Sequence, residues 1–152
     1  MARKQSEADL HQVVIVGGGA GGLELATRLG RSLGRKGKAA ITLIDRTRTH
    51  VWKPLLHEIA AGSMNPDKHE LEYLAQAHWN HFRFRLGSMD GLDRAKREVY
   101  VAPYYDEDGN QMIPSRTFKY DTLIIAVGST TNDFGILGAR EHSIALDTQE
   151  QA

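Results

Sequence analysis

The chain has 152 residues, of which 41% are hydrophobic, so it is long enough for one packed domain and too short to argue for two. Its 19 basic and 19 acidic residues give a formal net charge of zero, so no global field favours nucleic acid or anionic lipid as a partner. The sequence contains no cysteine, which excludes disulfide frameworks, thiolate zinc sites and dithiol redox chemistry.

The composition of the N-terminal segment does not predict a signal peptide. Residues 1–10 are polar and of mixed charge, without the apolar stretch of a signal peptide. No apolar run in the chain approaches the roughly 20 residues that a membrane-spanning helix needs. We therefore expect a cytoplasmic protein with a polar tail at 1–10 and a single domain at 11–152.

The first part of the domain combines apolar strands with an amphipathic helix. Residues 13–16 are a short β-branched run, which predicts a buried parallel strand. Apolar residues from Ala20 to Leu33 recur at helical spacing, and Gly34 follows as a stop. Residues 40–45 predict a second buried strand, so the opening unit is a right-handed βαβ unit with a parallel sheet.

Two helical segments are predicted after this unit. Residues 53–61 predict a short helix with Pro54 in its first turn. Residues 67–78 form a second polar and apolar stretch with helical character. The apolar residues of both segments are expected to pack over the sheet.

Three stretches then alternate between apolar and polar residues at period two, as strands with one covered face do. These are 82–86, 99–101 and 117–120. The pair Asp108-Gly109, typical of a tight turn, separates the last two. We interpret the stretches as an antiparallel meander with its bulk at about 88–120. Residues 122–128 return to a continuous apolar run, which predicts another buried parallel strand.

A glycine-rich turn joins the first strand to the helix in the pattern Gly17-x-Gly19-x-x-Gly22. In dinucleotide sites the first glycine permits the tight turn, the second lets backbone approach a diphosphate, and the third lets the helix lie close to the strand. Free N–H groups at the helix start then bind the anion. The predicted cofactor-binding residues of the turn are Gly17, Gly18, Gly19, Ala20, Gly21 and Gly22.

An acidic residue ends the second strand. Asp45 lies 23 residues after Gly22, where a carboxylate can accept both hydroxyls of an adenosine ribose. Its neighbour Arg46 is included in the predicted cofactor site. FAD and NAD share this fingerprint because both carry an ADP half, and a tight turn without a ligand is the plainer alternative.

A second motif indicates which of the two dinucleotides, FAD or NAD, binds at this site. Within the stretch from Tyr120 to Ser129, the predicted strand ends in Ala126-Val127-Gly128, where small residues let backbone come close to a bound nucleotide. A strand of this kind after a meander resembles the second fingerprint of flavoproteins of the glutathione-reductase type. The resemblance implies an α/β, Rossmann-like, three-layer domain with a parallel sheet and an antiparallel meander, which binds FAD.

Within that superfamily the chain resembles the type II NADH dehydrogenases, which are single-subunit, non-pumping NADH:quinone oxidoreductases. The stretches that carry the resemblance are 11–45, 50–58 and 128–142. By position, the resemblance implies that Lys53, Pro54 and Leu55 lie along the FAD. It also implies that Met89 offers backbone to the adenine.

The resemblance implies the FAD-binding portion of a respiratory-chain enzyme that passes electrons from NADH through FAD to a quinone. Such enzymes also have a second glycine-rich turn for NADH and C-terminal helices that hold them to the cytoplasmic face of the inner membrane, and neither is in this sequence. We therefore expect an incomplete domain that is inactive by itself, with NADH and quinone as partners of the parent enzyme and a homodimer left open. We name no catalytic acid, base or nucleophile, and no metal ligand.

Two alternatives stay open. Another FAD-dependent pyridine nucleotide reductase, with an acceptor of the ferredoxin type, would share both fingerprints. A truncated, non-catalytic nucleotide-binding module would hold FAD or an adenine nucleotide without turnover. The absence of cysteine disfavours disulfide reductases and sulfide:quinone reductases.

Overall fold

The computed structural model describes residues 9–50, 52–65, 71–148 and 151–152, so residues 1–8 of the predicted polar tail lie outside the described ranges. The strands, in chain order, are β1 (His11–Val16), β2 (Ala39–Asp45), β3 (Thr49–His50), β4 (Leu71–Glu72), β5 (Arg83–Leu86), β6 (Met89–Asp93), β7 (Glu98–Val101), β8 (Tyr104–Tyr105), β9 (Gln111–Ile113), β10 (Arg116–Lys119) and β11 (Thr122–Ile125). The α-helices are α1 (Ala20–Leu29), α2 (Leu56–Ala60), α3 (Tyr73–Asn80) and α4 (Ala139–His142).

The central sheet has four strands in the order β11-β1-β2-β5. All three strand pairs are parallel, so the four carboxyl ends meet at one edge of the sheet. We call this the carboxyl edge, and its strand ends are Val16, Asp45, Leu86 and Ile125. The predicted strands at 13–16 and 40–45 are confirmed, since both lie within the two central strands of this sheet.

The central strands are buried on both faces, which explains their continuous apolar sequence. One face packs against α1 and α3 in a helix-side core, whose buried residues are Val13, Ile15, Leu23, Ala26, Ala39, Ile41, Leu43, Tyr73, Ala77, Phe82 and Phe84. The opposite face packs against the meander in a second core, formed by Val14, Val16, Ile44, Val99 and Val101. Helices, parallel sheet and meander therefore form three layers, as the sequence predicts.

The helix after the glycine turn ends in two steps. It is α-helical to Leu29 and continues as a π-helical turn, Gly30–Gly34, so the predicted stop at Gly34 is confirmed. Glycine at both ends of this turn lets it approach the end of α3. A Cβ atom at Gly30 would overlap the carbonyl oxygen of Asn80, and one at Gly34 would overlap that of His81.

The antiparallel meander is confirmed by a three-stranded sheet in the order β10-β7-β6. The small hairpin of β8 and β9 lies between β7 and β10 in the chain. The predicted Asp108-Gly109 pair forms its turn, where Gly109 has a φ of +82° and its N–H donates to the Asp106 carbonyl oxygen at 3.1 Å.

The assignment of 82–86 to the meander is wrong. Residues 83–86 form β5, which pairs in parallel with β2 at the edge of the central sheet. Phe84 is buried in the helix-side core, while Arg83 is half-buried and Arg85 is exposed. The alternation at period two therefore reflects an edge strand with only one well-covered face, and it does not indicate antiparallel pairing.

Two further expectations need correction. Of the predicted helix at 67–78, residues 67–70 lie outside the described ranges, 71–72 pair with β3 as a short strand, and the helix begins at Tyr73. The strand at 122–128 is parallel to β1 as predicted, but it is not buried. Leu123 and Ile124 are half-buried against the two cores, and Ile125 is 55% exposed at the end of this edge strand.

Within the described ranges, no helix combines the length and the apolar character that crossing a bilayer requires.

Candidate nucleotide-binding site

The glycine turn leaves β1 where three strand ends meet. The Gly17 N–H donates to the Ile44 carbonyl oxygen of β2 at 2.8 Å, and Gly17 has a φ of +102°, which glycine adopts without strain. A Cβ atom there would lie 2.5 Å from the carbonyl carbon of Ala126, just after β11. The first predicted role, a tight turn that only glycine allows, therefore has a direct steric cause.

The other motif glycines separate into crowded and open positions. A Cβ atom at Gly22 would overlap the carbonyl oxygen of Gly17, so glycine is needed for the close approach of α1 to the turn. A Cβ atom at Gly19 or Gly21 would meet nothing within 4 Å. The space beside Gly19 is therefore open, as the approach of a ligand to the backbone requires.

The start of α1 presents free hydrogen-bond donors. The first helical hydrogen bond runs from the Leu23 N–H to the Gly19 carbonyl oxygen at 2.9 Å, and no side chain caps the helix. Among the residues that the structure describes, none accepts a hydrogen bond from the N–H groups of Gly19, Ala20, Gly21 or Gly22. These donors, at the positive end of a helix dipole, form a site suited to an anion.

The predicted acidic residue lies directly beside the turn. Asp45 Oδ2 accepts a hydrogen bond from the Gly18 N–H at 2.5 Å, and Oδ1 accepts from the N–H and the hydroxyl of Thr47 at 2.9 and 2.8 Å. A carboxylate has about four acceptor positions, so the described contacts leave one of them, on Oδ2. Arg46, the next residue, is exposed.

Two residues with aromatic rings, Tyr73 and His50, lie close to the turn on the helix side, and the sequence analysis did not assign either to the site. Tyr73, at the start of α3, is 2% exposed, and its hydroxyl donates to the Gly18 carbonyl oxygen at 2.7 Å. Its ring stacks on Phe84 with 4.9 Å between centroids and lies 6.3 Å from the half-buried His50 ring. No motif marks Tyr73 in the sequence, because it reaches the turn only through tertiary packing, whereas His50 begins one of the stretches that carry the family resemblance.

Burial shifts the pKa of both aromatic residues. It raises the pKa of the Tyr73 hydroxyl, and the nearby Asp45 charge raises it further, so this hydroxyl stays protonated at neutral pH. Burial also lowers the pKa of His50 from its ordinary value of 6.5, although Asp45 and the Gly18 backbone act in the opposite direction. The surroundings of the turn therefore favour a neutral histidine and a hydroxyl that can donate.

The segment after β5 extends the carboxyl edge. The Gly87 N–H donates to the Asp45 carbonyl oxygen at 2.8 Å, and β6 then begins at Met89. The Met89 side chain is half-buried and packs into the core beneath the meander. Met89 thus lies at the start of β6 beside the carboxyl edge, and the backbone contact with adenine that the resemblance implies stays a prediction.

The segment that contains Lys53 lies beside the end of β11. The Lys53 amine donates to the Ser129 carbonyl oxygen at 3.1 Å and forms an ion pair with Asp147 at 3.5 Å. Pro54 lies in the 3-10 turn Lys53–Leu55, and the Leu55 side chain is half-buried. The structure thus brings this predicted segment to the same edge of the sheet as the second fingerprint.

Asp147 is a further residue that the sequence analysis missed. Its Oδ2 accepts a hydrogen bond from the Thr131 N–H at 2.9 Å, which together with the charge of Lys53 lowers the pKa of this carboxyl from its usual range. Asp147 thereby connects the Lys53 segment to the chain after β11. No motif or spacing could have revealed this contact.

The second fingerprint ends at the carboxyl edge but is only partly packed. The Ala126 N–H donates to the Val16 carbonyl oxygen at 2.7 Å, which continues the parallel ladder beyond β11. Val127 is 66% exposed. Gly128 has a φ of +75°, and a Cβ atom there would meet nothing within 4 Å, so open space lies beside the backbone at this point too.

The chain matches a known family over nearly its whole length. Residues 11–152 match the family described as pyridine nucleotide-disulphide oxidoreductase. A type II NADH:quinone oxidoreductase of Haemophilus influenzae is 47% identical over 143 residues, which cover 94% of this chain and 32% of that protein. A type II NADH:quinone oxidoreductase of Mycobacterium tuberculosis is 32% identical, covering 82% of this chain and 24% of its own length.

Solved structures share the fold at lower identity. NDH2 of Plasmodium falciparum in complex with NADH superposes with a TM-score of 0.71 at 20% identity, covering 93% of this chain and 27% of that one. The sulfide:quinone oxidoreductase of Aquifex aeolicus superposes with a TM-score of 0.70 at 23% identity, with 93% and 29% covered. The chain thus spans about a third or less of the length of these relatives.

Proposed function

The chain belongs to the pyridine nucleotide-disulphide oxidoreductase family, and from this membership we propose that it is the FAD-binding part of an NADH:quinone oxidoreductase. Two findings support the proposal together. One is the set of free donors beside the open space at Gly19, which suits a diphosphate. The other is the 47% identity to a type II NADH:quinone oxidoreductase over 94% of the chain.

The observation that carries the proposal is the combination of crowded and open glycines in one turn. Side-chain space is closed at Gly17 and Gly22 by the chain's own backbone, while it is open at Gly19. The open position at Gly19 leaves room for a ligand beside the backbone, and the lack of a side chain there lets a diphosphate come close to the free N–H groups.

We propose that the parts of FAD lie along the carboxyl edge in the same order as the strand ends. From one end of the carboxyl edge to the other, the strands are β5, β2, β1 and β11. We place the adenine near the Met89 backbone after β5, and the ribose at Asp45 with Arg46 beside it. The diphosphate then lies at the turn after β1. Its flavin half lies toward Gly128, at the end of β11.

The flavin half of the proposed site combines the second fingerprint with the segment at Lys53. We place Ala126, Val127 and Gly128 against the cofactor on one side, with Lys53, Pro54 and Leu55 along its flavin part. The Lys53 amine brings a positive charge to this end of the edge, and its bond to the Ser129 carbonyl oxygen holds the two segments together. An exposed cation beside an anionic cofactor adds electrostatic attraction.

When bound, FAD would supply the chemistry of such a site, since a flavin can take a hydride from NADH and pass electrons to a quinone. This chain supplies position and electrostatics, and none of its described residues is proposed as an acid, base or nucleophile. We place the NADH and quinone sites, and any contact with the cytoplasmic face of a membrane, in parts of the protein outside these 152 residues.

The test is a titration of the chain with FAD, followed by quenching of flavin fluorescence. We expect saturable binding by the wild-type chain and loss of binding in Gly19→Val, whose Cβ atom meets nothing within 4 Å and whose methyl groups would enter the ligand space. Asp45→Ala should also bind more weakly, whereas Asp93→Ala, at the end of β6, is a matched control outside the site. Full affinity in Gly19→Val would contradict the proposed site.

The proposed reaction has its own test. We expect the FAD-loaded chain to show no NADH-dependent reduction of a quinone, and a longer protein that contains this chain to show it. Turnover by the 152-residue chain would contradict our placement of the NADH site. Reduction of a ferredoxin in preference to a quinone by the longer protein would favour the alternative reductase.

A further inference from the structure

Gly18 is held at both of its backbone polar groups by residues from outside the turn. Its N–H donates to Asp45 Oδ2 at 2.5 Å, and its carbonyl oxygen accepts from the Tyr73 hydroxyl at 2.7 Å. Tyr73 also occupies the side-chain space of Gly18, since a Cβ atom there would lie 2.5 Å from the Tyr73 ring carbon that bears the hydroxyl. Gly18 is therefore fixed by the protein and has no donor left for a ligand.

This restraint determines the direction of the next donor. The peptide bond between Gly18 and Gly19 is planar and trans, so its C=O and N–H groups point in opposite directions. Tyr73 draws the carbonyl oxygen into the helix-side core. The Gly19 N–H must therefore point away from that core, beside a position where a Cβ atom would meet nothing within 4 Å.

We propose that Tyr73 is a positioning residue for the diphosphate of a bound dinucleotide, because its hydroxyl orients the Gly18–Gly19 peptide so that the Gly19 N–H faces the ligand. This inference rests on the proposed FAD site and goes beyond the glycine motif. Tyr73 lies on α3, outside the βαβ unit, and it touches the turn rather than the ligand.

The position of the Tyr73 hydroxyl is itself well defined by packing. The Tyr73 N–H donates to the Arg48 carbonyl oxygen at 3.1 Å, and the ring stacks on Phe84 with an interplanar angle of 26°. A buried tyrosine whose hydroxyl is hydrogen-bonded can also serve packing alone. A positioning role predicts that loss of the hydroxyl weakens the binding of ligands with phosphate groups selectively, whereas a packing role predicts no such selectivity.

The test compares Tyr73→Phe with the wild-type chain in two competition titrations against FAD, one with ADP and one with adenosine. The variant keeps the ring and its stacking, and it removes only the hydroxyl. Tyr105→Phe is the matched control, because Tyr105 is 51% exposed on the small hairpin. Thermal unfolding of each chain without ligand is measured in parallel.

We expect Tyr73→Phe to weaken ADP binding by about five- to tenfold, the scale of one hydrogen bond, while adenosine binding changes by less than about twofold. Tyr105→Phe should leave both affinities unchanged. A purely structural role would lower the unfolding temperature and leave the ratio of the two affinities as in the wild type, and that result would overturn the inference.

If Tyr73→Phe does not fold, a second variant, Phe84→Leu, tests the same inference. Phe84→Leu removes the ring on which Tyr73 stacks but keeps the hydroxyl, so we expect a smaller, selective loss of ADP affinity of about threefold. An unchanged ratio of ADP to adenosine affinity in this variant would overturn the inference. If the wild-type chain binds neither FAD nor ADP, the proposed function itself fails, which is distinct from a failure at Tyr73.

Discussion

The two ends of the carboxyl edge are built differently. At the glycine turn, Ile15 and Ile44 are fully buried, and Gly18 is held by the buried Tyr73. At the end of β11, Ile125 and Val127 are 55% and 66% exposed. The contacts there are surface ones, since the Lys53 side chain that pairs with Asp147 is 54% exposed.

This difference separates two parts of the proposed cofactor site. Buried hydrogen bonds and close packing fix the diphosphate end before any ligand arrives, whereas exposed ion pairs contribute only about 0–1 kcal/mol and are screened by salt. We therefore expect substitutions at the crowded positions of the turn, Gly17, Gly18 and Gly22, to act on both folding and binding. Substitutions at the β11 end should act on binding with little effect on folding.

The largest expected effect is at Gly22. Gly22→Ala places a methyl group over the Gly17 carbonyl oxygen, and we expect it to lower the free energy of unfolding by about 3 kcal/mol or more, the upper range for an overpacked site. Gly21→Ala, one position earlier in α1, meets nothing within 4 Å and should raise it by about 0.5–1 kcal/mol. Urea denaturation of both variants measures the difference in unfolding free energy. Equal stabilities would contradict the contrast between the crowded position at Gly22 and the open one at Gly21.

The next effect compares matched isoleucines on adjacent strands. Ile15 is 0% exposed on β1, so Ile15→Ala should cost about 2–5 kcal/mol of unfolding free energy. Ile125→Ala, at the exposed end of β11, should cost less than about 1 kcal/mol. Denaturant midpoints give both values. A large loss of unfolding free energy in Ile125→Ala would mean that the end of β11 is covered in solution. The difference between the buried turn and an exposed β11 end would then not hold.

A smaller effect is expected at Lys53. Lys53→Met keeps most of the length of the side chain and removes its charge, so we expect a change in unfolding free energy below about 0.5 kcal/mol. The same variant should bind FAD about threefold more weakly, with a lower dependence on salt concentration. Fluorescence titrations at two salt concentrations measure this. Unchanged affinity and salt dependence would place Lys53 outside the site.

The smallest expected effect is a pH dependence at His50. Burial lowers its folded-state pKa below 6.5, so protons bind the unfolded chain more readily than the folded one. The stability that depends on neutral His50 is therefore present above pH 6.5 and is lost as the pH falls below it. His50→Gln should flatten this part of the stability profile, which urea denaturation at several pH values measures. A slope in this variant equal to that of the wild-type chain would contradict the shift.

Local patterns explain how much of this architecture could be predicted. The strands at 13–16 and 40–45 are continuous apolar runs because they are buried on both faces, and the glycine spacing reports a turn whose constraints are local. The parallel pairing of β5 was missed because a strand with one well-covered face alternates whether its neighbour is parallel or antiparallel. Tyr73 was missed because it reaches Gly18 from 55 positions away, and no local pattern records that packing.

The central claim is that the diphosphate of a dinucleotide binds at the turn after β1, and backbone amide NMR of the chain during titration with ADP tests it most directly. We predict the largest saturable shifts for the four free amides from Gly19 to Gly22, and a smaller shift for the Gly18 amide, which Asp45 already holds. Saturable shifts that leave these four amides unchanged, with maxima elsewhere in the chain, would contradict the claim.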